Sequence, residues 1–143
     1  MMNTMSSESK KQKRLSEEVC KELYAKCETP ERVIKHCRAV GETGARIASA
    51  LNKAGYNFDV SLVRAAGLIH DLMRISDNHG EAAADLLESL GYMQEAKAVR
   101  NHMRYEFNAP ESITETDIFC LADRLVKEDE YVGIDERVDY LID

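Results

Sequence analysis

A chain of 143 residues, 44% hydrophobic and 31% charged, suits one domain built around one core. No segment approaches the roughly 20 apolar residues that cross a bilayer, and the start of the chain lacks the apolar stretch of a signal peptide, so a cytoplasmic protein without membrane contact is expected. The net charge of −7 argues against a general nucleic-acid binder, which needs a basic surface, but not against a phosphate-bearing substrate, because bound cations reverse the local field.

Residues 1–14 are polar and carry Lys10, Lys11, Lys13 and Arg14. They are expected to form a flexible basic tail ahead of a domain spanning residues 15–143. Leu15, Val19, Leu23 and Cys27 recur at helical spacing and predict a first amphipathic helix ending before Pro30. Left exposed, that helix could mediate a homodimer. Thr29 is placed to cap a second helix, with Pro30 at its first position. Val33, Cys37, Val40, Gly44, Ile47 and Leu51 follow in steps of three and four, the clearest buried stripe in the chain. His36 lies one turn from Val33 and Val40, so it should point inward.

Asp59 is placed to cap a third helix over residues 60–73, with Leu62, Ala66, Ile69 and Met73 as its stripe. Asp77 is placed to cap a fourth, over residues 78–90, stopped by Gly91. A fifth covers residues 94–103, and Pro110 marks a loop. Thr114 can start a sixth helix through Leu125 or beyond. After Gly133, Val138, Leu141 and Ile142 suggest a last short helix. No β-branched alternation or hairpin signal is present. The expected fold class is all-α, a compact single-domain bundle of about six to seven helices. Cys20, Cys27, Cys37 and Cys120 form no C-x2-C pair and are expected to be free buried thiols rather than a zinc site.

The chain has four histidines, and with two aspartates they make a ligand set: His36, His70, Asp71, His79, His102 and Asp123. Imidazole and carboxylate together suit divalent transition metals. Asp71 stands among Leu68, Ile69, Leu72 and Met73, where an unpaired carboxylate is costly. Asp123 lies in an equally apolar stretch and needs a partner, either a metal or Arg124 or Arg74 in a plain salt bridge. Any one of these histidines alone would be unremarkable. Their order and the adjacent His70-Asp71 pair point to metal-dependent hydrolysis.

The segments "RVIKHCRAV", "RAAGLIHDLMR", "NHGEAAADLL", "VRNHM" and "FCLADRLV" run in the order His, His-Asp, His, His, Asp. That order resembles the HD-domain superfamily of metal-dependent phosphohydrolases. The resemblance spans residues 32–126 and implies an all-helical fold. It also implies His36, His70, Asp71 and Asp123 as core ligands, with His79 and His102 as the extra ligands of two-metal members, where Asp71 would bridge the ions. The pattern is similar to HD-type hydrolases of symmetrical diadenosine tetraphosphate and to small HD domains linked to molybdenum-cofactor nucleotidyltransferases. Many relatives continue the His-Asp pair as Ile-Gly-Lys, where this chain has Leu72-Met73-Arg74. Met103 replaces the second histidine of three-metal cyclic-dinucleotide phosphodiesterases, and the Gly-Tyr-Pro motif of that group is absent.

The expected function is therefore hydrolysis of a nucleotide or other small phosphate ester or anhydride by a metal-activated water. The cofactor would be one or two divalent ions of iron, manganese, cobalt, nickel or zinc. Asp71 and Arg74 are the catalytic candidates, with Arg74 as a bidentate phosphate clamp. Lys127 and Arg104 are weaker clamps, and Asp77 could position water. The rival expectation is a non-catalytic HD module that senses a ligand or docks on a partner enzyme, its pocket blocked by Tyr105 or Met103.

Overall fold

The computed structural model describes residues 14–73, 79–102 and 112–131. Six helices are formed among them: α1 Glu17–Lys26, α2 Glu31–Lys53, α3 Val60–Ile69, α4 His79–Ser89, α5 Met93–His102 and α6 Glu115–Leu125. A minimal hairpin follows, β1 Val126–Lys127 and β2 Glu130–Tyr131, antiparallel with Val126 opposite Tyr131. The fold class is all-α, as the periodicity implied, and the hairpin is a small addition to it. No helix among the described residues is long and apolar enough to cross a membrane.

Most helix starts follow from local chemistry. Ser16 accepts from Val19 N–H and begins α1, and Asp59 accepts from Leu62 N–H and begins α3. Thr114 and Asp117 form a reciprocal capping box at α6, satisfying two exposed N–H groups at once. At α2 the structure corrects the sequence reading. Pro30 is the N-cap and makes no side-chain cap bond, while the Thr29 hydroxyl donates to the Leu72 carbonyl at 2.8 Å.

Helix α3 is the hub. Ala65, Leu68 and Ile69 join a cluster with Leu23 and Tyr24 of α1, Ala83, Ala84 and Leu87 of α4, and Ala96 and Val99 of α5. Val63 and Ala66 join a second cluster with Val40 and Ala48 of α2 and Ile118, Phe119 and Ala122 of α6. Each large side chain so buried contributes roughly 1.5–3 kcal/mol. Close approach of α2 and α3 depends on small residues. A Cβ on Gly67 would lie 2.6 Å from the Gly41 Cα, and one on Gly44 would lie 2.7 Å from Val63 Cγ1.

Residues 1–13 lie outside the described residues, but Arg14, the last residue assigned to the tail, is anchored. Its guanidinium meets Asp59 at 2.7 Å, Gln94 at 3.0 Å and the fully buried Glu95 at 3.2 Å. Helix α1 turns Cys20, Leu23 and Tyr24 into the core. The expected short helix near residue 138 also lies outside the described residues. All four cysteines are free, and burial pushes Cys20 up to about 12 and Cys120 up to about 11, so neither offers a thiolate near neutrality.

Candidate metal centre

The centre is built where α2, the end of α3, α5 and α6 meet. His36 stands on α2 between the buried Val33 and Val40. His70 is the C-cap of α3, and Asp71 follows it in a turn. The apolar spacing predicts this helix through residue 73, and the structure ends it at Ile69. Side chains meet carbonyls at its end and in the turn beyond it. Tyr24 Oη donates to Leu68 O, His70 Nδ1 to Gly67 O at 2.8 Å, and Thr29 to Leu72 O. Leu72 N–H turns to Ile69 O at 3.1 Å instead of continuing the α-helical pattern. The turn lets two consecutive residues face one site.

His70 Nε2 lies 3.5 Å from Asp71 Oδ2 and 3.4 Å from Asp123 Oδ1. His36 Nε2 lies 3.0 Å from the same Asp123 oxygen. His102 comes in from the end of α5, its ring 5.3 Å from that of His70. Phe119, one turn before Asp123 on α6, contacts the rings of His70 and His102 at 5.3 and 5.4 Å. His70 is 1% exposed and Asp71 5% exposed, so neither ionises against bulk water alone.

All three imidazoles are held the same way. Nδ1 of His36 meets Glu128 O at 2.6 Å, Nδ1 of His70 meets Gly67 O at 2.8 Å, and Nδ1 of His102 meets Val99 O at 2.7 Å. A carbonyl only accepts, so each Nδ1 carries the proton. In the neutral ring, Nε2 is then a bare lone pair, the arrangement that metal-bound histidines adopt. The Nε2 of His70 is a buried polar atom without a hydrogen-bond partner, although two carboxylates stand beside it. Lone pairs opposed to carboxylates at these distances require a positive charge between them, either a proton or a metal ion. The donor set fits a divalent cation on this ground.

Without an ion in the centre, the neighbouring carboxylates draw a proton onto His70. Burial alone would raise Asp123, but His36 and His70 outweigh it and hold the carboxyl far below the usual range. Burial works against charge on His70, yet Cys37, Asp123 and Asp71 outweigh it and raise its pKa well above the usual value. Burial and the adjacent His70 keep His102 below its usual value.

Two ligand groups have donor atoms within 4.8 Å of one another: His36, His70 and Asp71, and His70, His102 and Asp123. Five of the six sequence-expected ligands are thus brought together. His79 is the first residue of α4, and the ligand role expected of its side chain lies outside what is described. Arg74, Asp77, Met103, Arg104 and Tyr105 likewise lie outside the described residues. Lys127 is exposed on β1. Arg124 donates to Cys120 O at 3.2 Å, while Asp123 meets His36 and His70.

A cleft of about 480 Å³ opens at the centre, lined by Arg32, Val33, His36, Asp71 and Glu128. Arg32, Phe119 and the Glu128 carbonyl were not singled out from the sequence. The first two stand four residues before His36 and Asp123, so helical spacing places them on the ligand faces. The carbonyl had no signal, because every residue has one.

The chain is 42% identical over 65 residues to an "Uncharacterized protein MJ0778" of Methanocaldococcus jannaschii, a stretch that covers 43% of this chain and 38% of that protein. The chain therefore spans well under two thirds of that relative. No solved structure matches it. The HD domain family matches residues 33–127, from the turn before His36 to just past Asp123. That stretch holds the all-α frame, the His-Asp turn and the converging imidazoles, and the chain belongs to the HD domain family.

Proposed function

We propose that this protein hydrolyses a small phosphate ester or anhydride, with nucleotides the foremost candidates. One or two divalent ions of iron, manganese, cobalt, nickel or zinc would be held by His36, His70, Asp71, His102 and Asp123. The observation that carries this reading is the convergence of three imidazoles whose Nδ1 atoms are bound to carbonyls, beside two carboxylates, at a cleft. When bound, such an ion supplies Lewis acidity toward a phosphoryl oxygen and lowers the pKa of water.

The chain's own groups do the rest. The carbonyls of Gly67, Val99 and Glu128 fix the tautomer and direction of the three rings. Phe119 and the buried wall of α3 keep water from the inner face of His70. Asp71, at the border of cleft and core, is the side chain suited to orient the attacking water. His70 offers one lone pair on Nε2, so the two ligand groups that share it cannot both be filled by separate ions. A second ion would be held with the help of Asp71, His79 and His102.

The test is hydrolysis of a panel of phosphate esters, nucleotides and diadenosine tetraphosphate with Mn²⁺, Co²⁺, Ni²⁺ or Fe²⁺, beside the Asp71→Ala variant. Metal-dependent turnover that the variant loses supports the proposal, and the best substrate defines the reaction. Bound metal without turnover on any substrate would shift the reading to a ligand-sensing or partner-docking module.

A further inference from the structure

The wall of the cleft carries a cation that the ligand set does not use. Arg32 lines the same cleft as His36 and Asp71. It stands four residues before His36 on α2, so its Cβ lies about 5–6 Å away on the same helix face. Among the described residues the other cleft-lining groups are Val33, His36, Asp71 and Glu128, which leaves Arg32 the one permanent positive charge among them.

Among the described residues the charge is uncommitted. Arg14 is tied to Asp59 and Glu95, Arg38 to Glu17, Arg64 to Glu42, and Arg100 to Glu81, Asp85 and Glu88. Arg32 forms no ion pair or hydrogen bond among the described residues. A guanidinium presents five donors in a planar fork that matches two oxygens of a phosphate. An anionic substrate approaching Asp71, Asp123 and Glu128, in a protein of net charge −7, meets a field that a cation at the entrance, beside any bound ion, makes more favourable.

We propose that Arg32 binds the phosphoryl group of the substrate directly, through a bidentate contact at the cleft wall. This rests on the phosphohydrolase reading above and assigns the phosphate-binding task to α2 itself. Arg32 holds the anion beside the centre and takes no part in holding the metal.

The test titrates inorganic phosphate into the Mn²⁺-loaded full chain by calorimetry, for the wild type, Arg32→Gln and Arg32→Lys, with Mn²⁺ affinity measured separately. KM and kcat are read on the best substrate of the panel. Arg32→Gln is expected to weaken phosphate binding and raise KM by about tenfold or more, as loss of a charge-assisted contact does. Mn²⁺ affinity and melting temperature should be unchanged, and Arg32→Lys should recover only part of the loss. Equal phosphate affinity in wild type and Arg32→Gln would overturn the proposal. So would a wild type that binds no phosphate, or a variant whose loss follows lost Mn²⁺ affinity. If the wild type turns over nothing but Arg32→Gln still loses phosphate binding, the hydrolase reading falls and the anion site stands.

Discussion

Gly67 of α3 faces Gly41 of α2 so closely that a Cβ on Gly67 would lie 2.6 Å from both the N and the Cα of Gly41. Those atoms are backbone and cannot rotate away. The crossing also sets the metal centre, because His36 lies on α2 and His70 ends α3. Gly67→Ala should cost about 2–3 kcal/mol in urea unfolding, at the upper end of overpacking effects. Gly41→Ala should cost less, since its Cβ would meet Arg64 O at 3.0 Å and the movable Leu68 Cγ at 3.2 Å. Equal or negligible losses in the two variants would remove the crossing as the determinant of helix spacing.

His36 is oriented by a residue 92 positions away, through Nδ1 donating to Glu128 O at 2.6 Å. Glu128 has φ of 59°, the left-handed region, at the turn between β1 and β2. Glycine adopts that conformation freely and a β-branched residue does so at a cost. Glu128→Gly should therefore keep Mn²⁺ affinity, while Glu128→Val should lower it about tenfold by displacing the carbonyl. Both variants remove the same carboxylate, so calorimetry on the pair isolates the backbone. Matching affinities would show that the turn does not position His36.

Helix positions were legible because caps and apolar steps are local features. Asp59 and Thr114 cap the helices they were expected to cap. Thr29 misled because a threonine before proline looks like a cap, while its hydroxyl serves a carbonyl 43 residues on. The early end of α3 was hidden for the same reason, since Tyr24 meets its Leu68 carbonyl and Thr29 the Leu72 carbonyl of the turn beyond, both from outside the helix. The hairpin has two residues per strand, too few for alternation to register. Ligand types were legible because His and Asp are rare beside apolar residues. The carbonyls that fix the imidazoles depend on tertiary geometry alone.

Phe119 is 1% exposed and meets both His70 and His102 edge-on or tilted. Truncation to alanine would leave a cavity and cost about 3–5 kcal/mol. Phe119→Leu is the more informative change, because it keeps the core apolar while removing the flat wall behind two rings. It should fold, with melting only modestly lowered, and lose about tenfold in Mn²⁺ affinity as the rings gain freedom. Unchanged affinity in a folded Phe119→Leu protein would confine Phe119 to packing.

Acid should loosen the anchor at Arg14. Burial would raise the Asp59 carboxyl, but the Ser61 hydroxyl, the Leu62 N–H and Arg14 outweigh it and leave the pKa below its ordinary value of 3.8. The unfolded chain therefore takes up this proton at a higher pH than the native one. The stabilisation is complete above the unfolded value and is lost as pH falls through the lower folded value. The carboxylate is 41% exposed, so solvent screens it and the effect is modest. Asp59→Asn keeps an N-cap acceptor while removing the charge. Its stability deficit against wild type, measured by urea unfolding, should be greatest at neutral pH and shrink as the pH drops below about 4. A deficit that stays constant from neutral pH into the acid range would mean that the Arg14–Asp59 pairing contributes nothing through its charge, leaving Glu95 to hold the N-terminal segment.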